Sequence, residues 1–228
     1  MRKLAVNIVW IKRDLRTIDH ESFHAAESKN IPYLPIYIFD TDLIEYSDTS
    51  DRHLGFIYNS LVDINKKLSS FNKEVEILFG PSLDIFKYLH SQYKIENIFS
   101  YQESGIKQSW QRDIKVKKFC NENSINWLEF QRDGIIRGIK DRRNWNKNWH
   151  IQMHGQIIRN SYKKQKKLKF INKFPLPKYL IRQINSNLDS FQPGGESMAW
   201  KYLKTFCDKR INGYANNISK PEKSRIYC

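Results

Sequence analysis

Five short, nearly apolar runs punctuate the first 130 positions: Leu4–Trp10 (broken only by Asn7), Tyr33–Phe39, Val75–Phe79, Asn97–Tyr101 and Asn126–Phe130. Each is rich in β-branched and aromatic residues, and none alternates cleanly with polar ones. That pattern predicts strands buried on both faces. Helical spacing fills the gaps. After Asp51, the residues Leu54, Ile57, Leu61, Ile64 and Leu68 recur at steps of three and four and form one apolar stripe, with Ser50 or Asp51 as the cap. Gly80-Pro81-Ser82 reads as a turn, with Ser82 capping a helix that turns Leu83, Phe86, Leu89 and Tyr93 inward. A further helix is expected from about Ile106 to Asn121, with Ile106, Trp110, Ile114 and Phe119 inward, and a shorter one near Glu21–Lys29.

Strand–helix alternation with such short connections implies right-handed βαβ units and a parallel sheet. The expected class is α/β: a Rossmann-like five-stranded parallel sheet, order 3-2-1-4-5, with helices on both faces, then a basic connector and a few α-helices. Ligands of such sheets sit beyond the carboxyl ends of the strands, where the strand order reverses. In that order the loop Ile11–Arg16 faces the loop Gln102–Gly105 across a crevice, which makes Arg13, Arg16 and Glu103 site candidates. An ordinary surface ion pair is the plainer alternative for such residues.

Charge adds a second feature. The chain has 228 residues, with 39 Lys+Arg against 24 Asp+Glu and a net charge of +15. Residues 137–182 hold fourteen of the basic residues and one acid, Asp141, so the rest of the chain is close to neutral. A polyanionic partner, DNA above all, fits this excess through counterion release; a solvated connector rich in Lys and Asn fits it equally well.

Several chemistries find no support. There is no Gly-rich phosphate cradle of either common spacing. His150 and His154 stand at i,i+4 but lack a Glu between them and a third ligand, so no metal site is assigned. Trp145 and Trp149, also at i,i+4, read as docking residues of a connector helix. Cys120, Cys207 and Cys228 are too few and too scattered for a disulfide framework, which points to a reducing, cytoplasmic setting. No apolar run is long enough to span a bilayer, so no membrane partner is expected. The apolar start, Leu4–Ile11, runs into Lys12, Arg13 and Asp14 with no small-residue cleavage site and reads as a strand, not a signal peptide.

The run Asn7–Arg16 followed by Asp19-His20 resembles the N-terminal signature of the cryptochrome/photolyase family. Ile36–Asp40, Ser50-Asp51-Arg52, Gly80-Pro81, Gln102–Gly105 and Arg112-Asp113 fall where the α/β domain of that family has similar residues. Phe191–Glu196, with Trp200, Leu203 and Phe206, is similar to the start of its helical domain, and Tyr214 and Lys220–Arg225 continue the likeness. The resemblance covers essentially the whole chain. It implies a flavoprotein lyase of DNA repair, or a blue-light sensor. In photolyases, light-excited reduced FAD splits cyclobutane pyrimidine dimers in DNA damaged by light, with the lesion flipped out of the helix.

The resemblance also implies an antenna chromophore (deazaflavin, flavin or folate) in the α/β domain, and by position Arg13, Asp40, Arg52 and Glu103 are its expected contacts. Of the FAD-binding residues only Tyr214 has a counterpart, a partial FAD site; where the family often has Arg, this chain has Ile218. The motif that holds the FAD phosphates begins near Arg225–Cys228, where the sequence stops. FAD is therefore expected of the complete fold and not of this chain alone, no catalytic residue is assigned, and the chain is expected to be inactive by itself. A truncated frame, a fragment and half of a split protein, paired with a separate C-terminal FAD domain, all fit. The expected organisation is an α/β antenna domain over 1–135, a basic interdomain connector over 136–193, and the start of a helical FAD-binding domain over 194–228. A light-independent nucleic-acid-binding remnant and a small-molecule binding module are the alternatives.

Overall fold

The computed structural model describes residues 3–186, 192–217 and 219–220. Phe191, Ile218 and Pro221–Cys228, including the expected start of the FAD-phosphate motif, lie outside the described residues. The strands are β1 Ala5–Ile11, β2 Tyr33–Phe39, β3 Glu76–Phe79, β4 Lys94–Tyr101 and β5 Asn126–Phe130. The helices are α1 Glu21–Glu27, α2 Thr41–Ile44, α3 Asp51–Leu68, α4 Ser82–Gln92, α5 Lys107–Glu122, α6 Trp145–Met153, α7 Lys178–Asn185, α8 Glu196–Thr205 and α9 Ile211–Asn217, with a π-helical turn, Phe206–Arg210, joining the last two. All strand pairs are parallel, in the order β3-β2-β1-β4-β5, as expected.

Alternate residues of β1 point to opposite faces, because side chains alternate along a strand. Val6, Ile8 and Trp10 join a core with Phe86 and Leu89 of α4 and Val116 and Phe119 of α5. Val9 and Ile11 join a second core with Phe23 of α1 and Leu54, Leu61, Ile64 and Leu68 of α3. β3 begins at Glu76, opposite Ile36, one residue beyond Pro35, which has no N–H to give to a ladder.

Two local expectations are corrected. In α5, Trp110 and Ile114 are exposed (61% and 54%), and Ser109, Arg112, Asp113, Val116, Phe119 and Cys120 turn inward. The inner face is partly ionic because a buried lysine just after β1, described below, needs those partners. Pro81, not Ser82, occupies the N-cap of α4. Ser82 opens the helix, and its hydroxyl donates to Asp40 instead of to its own first turn. Ser50 does cap α3, and its N–H donates to His53 Nδ1 at 3.3 Å.

The basic segment after α6 lies along the α/β body as an extended strap. Asp19 N–H donates to Ile158 O at 3.1 Å, and Asn160 exchanges two hydrogen bonds with His20. Tyr162 donates to Thr17 O, Gln165 pairs with both backbone groups of Tyr33, and Tyr93 donates to Lys169 O. Phe79 N–H donates to Phe174 O at 2.8 Å. Leu168, Phe170 and Phe174 pack on the first core. Beyond the strap, Leu180 and Ile184 of α7 are buried in the second core, alongside the residues of α3.

No described helix is long and apolar enough to cross a membrane. Cys120 and Cys207 are free thiols, and burial pushes the Cys120 thiol up to about 11.

Candidate functional site

A cleft of about 790 Å³ opens at the carboxyl ends of β1 and β2, against the loop after β4. Ile11, Leu15, Tyr37, Phe39, Leu54 and Ile57 give it apolar walls, and Arg13, Arg52 and Glu103 line it among the polar groups. Burial pushes the Tyr37 phenol up, so this wall carries no charge. The structure therefore brings four expected contacts, Arg13, Asp40, Arg52 and Glu103, to one cavity. Arg16 does not join them. Its guanidinium folds back onto Ile18 O and Asp19 O. Tyr214 packs edge-on against Phe206 within the last helices and is absent from the cleft lining.

Glu103 is buried, and Arg13 Nε reaches it at 2.7 Å while the rest of the arginine stays largely exposed. The Arg13–Glu103 contact is thus half-buried, unlike the ordinary surface pair considered from sequence. Gly105 permits this packing: a Cβ there would lie 2.6 Å from Glu103 Oε1 and 2.5 Å from Ser109 Oγ. Behind Glu103 the charges continue inward. Arg112 lies 3.8 Å from Glu103 and makes two bonds to Asp113 Oδ1, at 2.9 and 2.8 Å. Asp113 also takes Lys12 Nζ at 2.9 Å, and that ammonium sits 4.5 Å from the Trp10 ring centroid. Burial pulls the Lys12 amine below its ordinary value against the pull of Asp113.

Asp40 has a different duty. Its carboxylate accepts the N–H of Ser82 at 2.9 Å, the Ser82 hydroxyl, and the N–H of Asp42 at 3.1 Å. It ties the end of β2 to the starts of α2 and α4, and it shapes the cleft wall with acceptors already taken. Arg52 stands exposed on the first turn of α3 and has no ion pair among the described residues.

Sequence reasoning picked the exposed members of the loop after β1 and passed over its buried ones, Lys12 and Asp14. Asp14 lies 2.7 Å from His20 Nε2, both wholly buried, and His20 Nδ1 accepts the N–H of Phe23. Burial pushes the Asp14 carboxyl up, but the hydrogen bond from His20 and that from Lys12 N–H outweigh it and hold the group below its ordinary value. Glu196 behaves alike: bonds from Thr17 N–H and hydroxyl and from Lys67 overcome its burial. Carboxyls depressed in the folded state stabilise it above their unfolded pKa of about 4, and that contribution is lost as pH falls through the folded values. Urea stability is therefore expected to be flat from pH 7 to about pH 5 and to fall steeply toward pH 3. Asp14→Asn should flatten that fall; an unchanged acid limb would show that the pair contributes nothing.

His150 and His154 stack with ring centroids 5.4 Å apart, and no cluster of three metal-ligating groups occurs among the described residues. Of the two expected docking residues, Trp149 meets Gly134 in the loop after β5, whereas Trp145, one turn earlier on the same helix, is exposed.

Comparison with known proteins agrees with the fold. The chain is 23% identical over 226 residues to the deoxyribodipyrimidine photo-lyase of Buchnera aphidicola, spanning 91% of this chain and 46% of that protein. It is 25% identical over 136 residues to cryptochrome-1 of Drosophila melanogaster, spanning 57% of this chain and 25% of that one. The solved cryptochrome of Synechocystis superposes with a TM-score of 0.73 at 15% identity, over 95% of this chain and 49% of that one. The archaeal photolyase of Sulfolobus tokodaii, solved with two FAD molecules, gives 0.58 at 20% identity, over 79% of this chain and 42% of that one. The chain thus spans about half the length of the photo-lyase and of the solved structures it matches. The profile of the DNA photolyase family covers residues 7–146, from within β1 into α6 and including every residue of the ionic chain behind the cleft, and the protein belongs to that family.

Proposed function

We propose that these residues form the light-harvesting part of a photolyase- or cryptochrome-type flavoprotein, and that the cleft at the ends of β1 and β2 holds its antenna chromophore. The observation that carries this is the cleft itself: apolar walls wide enough for a fused heterocycle, with Arg13 and Arg52 beside them for a polar or anionic tail. Arg13 and Glu103 position the ring edge, Arg52 meets the tail, and Asp40 keeps the wall in shape. The described chain holds no light-absorbing group of its own beyond its aromatic side chains, so the bound chromophore would supply the capture of light. In the assembled protein that energy would pass to FAD, and the reaction would be repair of pyrimidine dimers in DNA or blue-light signalling. DNA is the proposed macromolecular partner, held by charge, and the reducing cytoplasm is the proposed setting. The Sulfolobus photolyase, solved with two FAD molecules and with the implication of a novel light-harvesting cofactor, supports testing FAD as an antenna beside the deazaflavin and folate.

The test is titration of the 228-residue chain with FAD, FMN, a deazaflavin and methenyl-folate, followed by ligand fluorescence. One of the four should bind near one equivalent, and Arg13→Ala and Arg52→Ala should each weaken it by about tenfold, the loss of one charged hydrogen bond. Glu103→Gln is preferable to Ala, because an alanine would leave Arg112 short of a partner. Binding of none of the four would refute the reading. Flavin retained undiminished by both arginine variants would place it elsewhere, near Tyr214, and overturn the expectation that this chain alone offers only a partial FAD site.

A further inference from the structure

The strap does more than cross the body: it carries a row of cations to the pole opposite the cleft. Its contacts fix where that row lies. Gln165 bonds to Tyr33, the first residue of β2, and receives Asn72 at its carbonyl, in the loop before β3. Gln165 N–H donates to Phe71 O in the same loop, and Lys169 O is held by Tyr93, just before β4. These are the amino ends of the strands, whereas the cleft lies at their carboxyl ends.

Within the strap, Tyr162, Gln165 and Leu168 are partly buried and the residues between them are exposed. A three-residue repeat of inward positions is the period of an extended, polyproline-like chain. It leaves two residues facing water in each turn, and in this chain those are Lys163 with Lys164 and Lys166 with Lys167; Lys169 and Lys173 follow, also exposed. None of the six has a carboxylate within 4 Å among the described residues. The neighbouring acid Glu27 is already taken, at 2.8 Å by Lys73 and at 2.7 Å by the Tyr33 hydroxyl. Glu74 and Glu76 lie close as well, and Lys167 is the cation that acts on Glu76. A flexible lysine tract would scatter its charges. Here the backbone is held on both sides of each pair, so the lysine stems leave the surface at set points along one strip, an order that the sequence, which fitted a polyanion partner and a solvated connector equally, does not display.

We propose that this lysine row is a docking surface for the phosphodiester backbone of nucleic acid, separate from the cleft and indifferent to base sequence and to lesions. The row offers ammonium groups, which meet phosphates as point charges, and the amides that lie among them, on Asn72, Gln165 and Asn172, already donate to backbone carbonyls instead of facing a base edge. The surface goes beyond the proposed chromophore cleft and does not depend on it, since the two lysine pairs lie at the amino ends of the strands and the cleft at their carboxyl ends, with Lys169 and Lys173 following along the β3 edge.

The test is fluorescence anisotropy of a labelled duplex with the full 228-residue chain at several salt concentrations. Two variants with equal loss of charge are compared: Lys163, Lys164, Lys166 and Lys167 all changed to Gln, and Lys87, Lys107, Lys115 and Lys118 of α4 and α5 all changed to Gln. The substituted residues are exposed in both, so both should fold, which circular dichroism checks. At about −0.9 per phosphate, removing four contacts should flatten the log–log salt slope by roughly 3 to 4 and weaken low-salt binding at least tenfold. The α4/α5 variant should stay within about threefold of the parent, since exposed charges away from the contact are screened. Duplexes with and without a pyrimidine dimer should bind alike. Chromophore titration of the row variant should be unchanged, which separates failure here from failure of the cleft. Equal weakening by the two variants would overturn the proposal in favour of bulk net charge. No binding at low salt, a preference for the lesion, or binding of phosphatidylserine vesicles but not of duplex would each overturn it as well.

Discussion

Replacing Asp113 by Ala should destabilise the protein by about 3–5 kcal/mol, the range for removing one partner of a buried ion pair. Asp113 faces Lys12 at 2.9 Å and Arg112 at 2.8 Å, and all three side chains are less than a tenth exposed. Without it, the Lys12 ammonium keeps only Glu129, 4.0 Å away, and the rings of Trp10 and Trp127. The attraction of those rings cannot replace a desolvated carboxylate. The cost is that of a stranded charge more than of a lost bond. The double change Lys12→Met with Asp113→Leu should therefore recover the part of the loss due to Lys12, while Arg112, 3.8 Å from Glu103, still lacks the two bonds it made to Asp113. Urea denaturation at neutral pH measures both. A single-variant loss under about 1 kcal/mol, or a double variant no better than the single, would contradict the stranded-charge account.

The second large effect is expected at Gly194. A Cβ there would sit 2.1 Å from the carbonyl oxygen of Phe56 and 2.6 Å from Ser60 Oγ, and the first of these is backbone that cannot swing aside. Gly194 is where the chain meets α3 before α8 begins. The next turn is fastened by Asp63, which accepts from Ser197 N–H at 3.0 Å and from its hydroxyl at 2.8 Å, and by the Lys67–Glu196 pair at 3.1 Å. Glu196 in turn accepts from Thr17 N–H at 2.7 Å. Gly194→Ala should lift α8 from α3 and release that amide. Hydrogen exchange at Thr17 should then speed up about thirtyfold, corresponding to roughly 2 kcal/mol for a bond to a charged acceptor. The sheet amides of β1 should keep their protection. Unchanged protection at Thr17 would show that α8 is not held by this approach.

The same residues mark what could be read in advance. The strands were legible because β1 and β2 are apolar at nearly every position, and the α3 stripe because its spacing has one solution. The crevice followed from strand order, and with it Arg13 and Glu103. What stayed hidden has a common cause. Lys12, Asp14, Arg112 and Asp113 are charged residues inside the fold, and a polar residue is assigned to the surface by default. Only pairing permits their burial, Lys12 with Asp113 across 101 positions of sequence and Asp14 with His20 across a turn, and a single sequence does not display it. The strap was missed for a related reason: its inward residues keep a period of three, which neither helix nor strand templates detect. Asp40 was found by likeness, yet its hydrogen bonds to Ser82 and Asp42 are visible only in three dimensions.

The strap also bears on how the molecules behave in company. β3 is the outermost strand on its side of the sheet, and such a strand offers unpaired amides and carbonyls to any other chain that comes alongside. Here Phe174 O takes the Phe79 amide, Asn172 donates to Ile77 O, and the Phe174 ring lies against Gly80 just beyond the strand. Lys169 and Lys173 flank that cover with like charge, which repels a second copy approaching the same border. The chain thus seals its own exposed sheet margin with a segment that sequence alone would assign to a linker, and this guards the fold against self-assembly through β3.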